Sequence, residues 1–131
     1  MAYHVVRPDE LEFAERPADG AASRAVADLT TAVGLTQSRA RLWRMPRGTR
    51  GTRHRELVQE EGFVVLEGTF TLALDDPPTR VDLPAGSVAA VEPGTPLQMR
   101  NDGTEDVLVL VWGAPPVAGQ AEYLEDLGES F

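Results

Sequence analysis

The feature that most limits this chain is its punctuation. Between Gly34 and Gly113, turn-forming residues interrupt the sequence at Pro46 to Gly51, Gly68, Asp75 to Pro78, Pro84 to Gly86, Glu92 to Pro96 and Asn101 to Gly103. Breaks about 8–12 residues apart leave room for short strands and for no long helix. The pieces between them alternate or carry β-branched and aromatic residues: Gln37–Met45, Arg53–Leu57, Gly62–Glu67, Thr69–Leu74, Thr79–Leu83, Ser87–Val91, Leu97–Arg100 and Val107–Trp112. The last of these, VLVLVW, is apolar throughout and reads as a central strand covered on both faces. Residues 23–33 read as a strand with a bend. About eight to ten short strands predict an all-β sandwich or barrel.

The outer parts of the chain are less regular. Residues 1–22 read as a polar arm with at most a short strand at Tyr3–Arg7. Residues 114–131 read as an acidic tail in which AEYLEDL holds one or two helical turns. At 131 residues the whole is expected to be one domain with its barrel core at about 35–113.

Charge and composition exclude several functions. The formal charge is −9, which argues against nucleic acid and anionic membranes as partners. There is no cysteine, hence no disulfide, no zinc–thiolate site and no thiol nucleophile. There is no lysine either, so Schiff-base and lysine-base chemistry are excluded. The first residues lack a long apolar run; no signal peptide or membrane span is expected, and the cytoplasm is the expected location. Arg39, Arg41, Arg44, Arg47, Arg50, Arg53 and Arg55 cluster within one stretch. They form either a solvated rim or a cationic mouth for an anionic small molecule, with Arg41, Arg53 and Arg100 as the candidates facing it. No serine has the context of a nucleophile, and His4 reads as a surface residue.

The chemistry concentrates between Gly48 and Gly68. There Gly48, His54, Glu56, Glu61 and Gly68 fall at the offsets G-x5-H-x-E-x4-E-x6-G. Further on, Gly86, Gly94 and Asn101 fall at the offsets of G-x5-x-x-G-x2-x-x3-N, with Glu92 and Leu97 at the other two positions. These spacings, over roughly residues 35–113, resemble the two motifs of the cupin superfamily, small jelly-roll β-barrels. Two departures stand out. Glu56 occupies the place of the second motif-one histidine, and Leu97 that of the motif-two histidine.

The resemblance implies a jelly-roll barrel, commonly a homodimer, whose motif residues hold a divalent metal in the metal-bearing members. Carried onto this chain it assigns His54 and Glu61 as metal ligands and admits Glu56 as a third. One imidazole and two carboxylates suit Mn, Fe, Ni or Zn. The strand period puts His54 and Glu56 on one face. Leucine at position 97, in place of a histidine ligand, leaves two main readings. In one, the metal site is degenerate or absent and the barrel binds a small organic, possibly anionic, molecule. In the other, the protein is a metal-dependent isomerase, cyclase or dioxygenase acting on a small metabolite. A metal-free epimerase with His54 as base is a third. Trp43, Met45, Phe63, Val65, Leu97 and Met99 either line the ligand pocket or fill the core.

Overall fold

A computed structural model of the chain describes residues 2–17, 19–20, 23–117 and 119–131. Among the described residues the strands, in chain order, are β1 (Phe13–Arg16), β2 (Asp19–Gly20), β3 (Arg24–Asp28), β4 (Arg39–Met45), β5 (Thr49–Arg50), β6 (His54–Glu56), β7 (Glu60–Glu67), β8 (Thr69–Leu74), β9 (Thr79–Pro84), β10 (Val88–Val91), β11 (Leu97–Arg100), β12 (Val107–Ala114) and β13 (Ala121–Tyr123). One short helix, α1 (Leu29–Val33), and a 3-10 turn at Pro8–Glu10 complete the set. Among the described residues no helix is long and apolar enough to cross a membrane.

All pairings are antiparallel and build two sheets. One runs β1-β3-β4-β12-β7-β10; the other runs β13-β6-β11-β5-β2, with β8 pairing β11 and β9 pairing β8. The inward positions of both sheets form one core: Trp43 and Met45, Phe63 and Val65, Phe70 and Leu72, Leu97 and Met99, and Val107 and Val109. Phe63 and Phe70 stack across the two sheets at 5.9 Å. Removing these side chains from water supplies the main drive to fold.

Four sequence expectations change. The strand β12 is central, but only Val107, Val109 and Val111 are buried. Leu108, Leu110 and Trp112 alternate to the outer face and stay partly exposed. Trp112 lies across Gly62, where a Cβ would collide with the indole. Residues 23–33 do not form one bent strand. Asp28 ends β3 by capping α1, accepting from the Thr31 amide and hydroxyl, and Gly34 closes the helix in the left-handed region. The N-terminal strand is Phe13–Arg16, not Tyr3–Arg7; its register on β3 is Phe13↔Ala27 to Arg16↔Arg24. The tail forms strand β13 rather than helix, because β6 offers it an open edge.

The end of the barrel near Met45 is closed by polar groups that satisfy one another. Asn101 donates to the Met45 and Glu105 carbonyls at 2.8 Å each and accepts from the Gly103 amide at 3.1 Å. Arg100 is fully buried and donates to both Asp102 oxygens and to Gln98 Oε1. The tail straps the outer face of the second sheet. Asp126 accepts from Arg50 and Gln98, and the Phe131 ring lies 5.3 Å from the Arg100 guanidinium.

Candidate metal and ligand site

The opposite end is open, and the chemistry sits there. His54 and Glu56 alternate inward from β6, and Glu61 arrives on β7 across the intervening turn. His54 Nε2 lies 3.1 Å from Glu56 Oε2 and 3.4 Å from Glu61 Oε1. One ligand atom from each residue falls within 4.8 Å of the others. All three side chains are mostly buried.

The ring orientation is fixed from behind. His54 Nδ1 is 2.9 Å from the Thr52 carbonyl, which can only accept, so Nδ1 carries a proton. Nε2 is then the atom facing the two carboxylates. A neutral imidazole would aim a lone pair at two carboxylate oxygens, so the geometry calls for a cation between them, a proton or a metal. Glu61 Oε1 is buried and has no hydrogen-bond partner. A buried carboxylate oxygen left so is costly unless something cationic answers it.

The titration behaviour agrees. Burial pulls the His54 imidazolium down, but the Glu61 contact, the Thr52 carbonyl and the charges of Glu61 and Glu56 outweigh it and raise the group above 6.5. Burial and the Glu61 charge push the Glu56 carboxyl above 4.5, against the pull of His54, Arg41 and Arg39.

A cavity of about 460 Å³ opens over these three residues. Trp43, Met99 and Val111 form its apolar walls. Arg16, Arg24 and Arg41 stand on the side of β1, β3 and β4. Tyr123 closes another side, placed there by its pairing with His54 in the β13–β6 ladder.

The structure thus brings His54, Glu56, Glu61, Trp43, Met99 and Arg41 to one cavity. It does not bring the others. Met45, Phe63, Val65 and Leu97 share the inward parity but lie a layer deeper, where they fill the core. Leu97 pairs with His54 in the ladder and is buried there as core. Arg53 is turned toward Asp76 and the Glu125 and Asp75 carbonyls. Arg100 faces out of the barrel beside Gln98 and is buried beneath the C-terminal tail. Sequence reasoning missed Arg16, Arg24 and Tyr123. The alternation of Arg24 with Val26, and of Arg16 with Ala14, was the available signal; which edge those strands join was not.

The donor set fits a divalent ion. It offers one imidazole nitrogen and two carboxylates, one of which, Glu61, has a buried oxygen with no hydrogen bond. A family model described as the cupin domain matches residues 41–113, more than half of the chain. The chain belongs to the cupin superfamily. Solved structures of the same jelly-roll fold include the polyketide cyclase RemF from Streptomyces resistomycificus, 17% identical, covering 95% of this chain and 87% of that one with a TM-score of 0.78. A cupin-superfamily sugar phosphate isomerase from Silicibacter pomeroyi is 22% identical, covering 95% and 94%, with a TM-score of 0.72. A conserved protein with a double-stranded β-helix domain from Klebsiella pneumoniae is 22% identical, covering 93% and 97%, with a TM-score of 0.71. At these identities the likeness is one of fold. A search of the curated proteins finds no match.

Proposed function

We propose that this cupin binds a small organic molecule in its open cavity, over a reduced metal centre held by His54, Glu56 and Glu61. The observation that carries the reading is His54 Nε2 aimed between two carboxylates, 3.1 and 3.4 Å away. A divalent ion bound there would act as a Lewis acid on a ligand oxygen. The chain's own residues do the rest. The Thr52 carbonyl holds the imidazole in one tautomer and one orientation. Trp43, Met99 and Val111 take the apolar body of the ligand and keep water from it. With three protein donors and no fourth, the centre holds metal less tightly than a four-ligand cupin and leaves positions open to the ligand. A sugar phosphate isomerase and a polyketide cyclase share this fold, and an activity of that broad kind on a small metabolite is part of the proposal. Work as a homodimer in the cytoplasm forms part of the same proposal.

The test is metal binding. Protein purified without chelator is analysed for metal, then stripped and titrated with Mn, Fe, Ni and Zn while its melting is followed. Saturation at one hundred times Kd stabilises by about 2.7 kcal/mol, a shift of several degrees. His54→Ala and Glu61→Gln each abolish the shift. A wild-type melting curve that none of the four ions moves would sink the metal half of the reading.

A further inference from the structure

The cavity is bipolar, and its second pole is built as carefully as its first. The acids stand on β6 and β7. The arginines stand on β1, β3 and β4, with Trp43 and Met99 between the two. Arg24 is positioned rather than merely present. Its guanidinium lies 4.1 Å over the Trp43 ring. A Cβ at Gly51 would stand 2.9 Å from Arg24 Nη1, so the missing side chain at Gly51 is the space the guanidinium occupies. Arg24 also donates to the Pro17 carbonyl at 3.4 Å. Arg41 lines the same cavity, and its charge acts on Glu56 and Asp28. Arg16, opposite Arg24 in the ladder, adds a third cation.

We infer that the ligand is a small carboxylate: an apolar body against Trp43 and Met99, a carboxylate received by Arg24 and Arg41, and a second oxygen directed to the His54 floor. The inference rests on the proposal that the cavity is the ligand site. Guanidinium forks match the planar, two-oxygen geometry of a carboxylate. A singly charged group also suits a cavity whose far side carries Glu56 and Glu61, which a doubly charged phosphate would oppose more strongly. Gly51 is a positioning residue here, acting through Arg24.

The experiment uses the position of the two tryptophans. Trp112 lies on the outer face, so Trp112→Phe leaves Trp43 as the single indole and makes its fluorescence a cavity reporter. Cyclohexanecarboxylate is titrated against its isosteric amide, cyclohexanecarboxamide, and against inorganic phosphate. The carboxylate binds at least about tenfold tighter than the amide, the effect of one or two charge-assisted hydrogen bonds, and tighter than phosphate. Arg24→Gln and Arg41→Gln reduce that preference toward unity. Gly51→Ala reduces it as well, because the added methyl takes the space of the Arg24 guanidinium. Arg24→Lys keeps the charge, guards against a folding defect, and recovers part of the preference. Equal affinity for carboxylate and amide, or no saturable response to the carboxylate, overturns the inference. So does a preference that survives in the Arg24→Gln/Arg41→Gln double variant.

Repeating the titration in metal-free Glu61→Gln separates this inference from the metal proposal. Preference intact with metal binding absent in the wild type sinks the metal centre alone. Metal binding intact with no preference sinks the carboxylate inference alone.

Discussion

The region around Asn101 and Arg100 and the open end of the barrel treat their buried polar groups in opposite ways. At the closed end, Asn101 uses both of its amide hydrogens and its oxygen within the protein. Arg100, although fully buried, is answered by Asp102, by Gln98 and by the Glu129 carbonyl. At the open end, two carboxylates and an imidazole converge, and the buried Glu61 Oε1 makes no hydrogen bond and has only the His54 Nε2 contact at 3.4 Å. Buried polar groups that satisfy one another specify a structure; groups that converge without satisfaction are held there for something else. The motif residues divide along that line. Asn101, at a motif-two position, is kept by its hydrogen bonds to the chain, and Leu97, at another, has joined the core.

That contrast can be broken by mutation, starting with the largest effects. Asp102→Ala leaves the buried Arg100 charge without its carboxylate, and the loss is expected at about 3 kcal/mol in chemical denaturation. A loss under about 1 kcal/mol would mean that the closed end is not the structural anchor described. Asn101→Ala removes three hydrogen bonds and orphans the Met45 carbonyl, at about 2 kcal/mol.

The open end should respond in the other direction. In metal-free protein above the His54 titration, Glu61→Gln offers an N–H to the exposed Nε2 lone pair. It is expected to gain up to about 1 kcal/mol, while losing metal binding. A destabilised variant would show that Glu61 is structural.

The smallest effects are in pH, and the two regions differ in sign. Arg50, with Gln98 and the Gly128 amide, holds the Asp126 carboxyl down to about 2 against the opposing effect of its burial. A depressed carboxyl contributes stability that is present above 3.8 and lost as pH falls toward 2. Glu56 is raised above 4.5 and His54 above 6.5. The folded state therefore binds their protons more readily than the unfolded one, and stability falls as pH rises through the folded values. Melting of chelated protein should show both limbs. Asp126→Asn flattens only the acid limb and Glu56→Gln only part of the alkaline one.

Much of this was legible in the sequence, for reasons that also mark its limits. Turn residues at short intervals set the strand count, and a strand period of two put His54 and Glu56 on one face. Parity does not report depth, however. Arg41, Trp43 and Met45 all point inward from β4, yet only the first two reach the cavity and Met45 lies in the core. Phe63 and Val65 likewise point inward and lie in the core. Nor does local pattern report which distant strands meet. Arg16, Arg24 and Tyr123 reach the site through ladders whose partners no turn chemistry announces.

The pairing of β13 with β6 has a consequence for the order in which this protein becomes competent. The strand that carries His54 and Glu56 is bordered by residues 121–123, and Arg50 is clasped by Asp126. Neither the core nor the cavity can close before β12 arrives, since β12 joins β4 to β7 and Val107 and Val109 lie within the core. The wall formed by β13 follows soon after it along the chain, so the barrel and its receptor cavity are completed by one and the same late stretch.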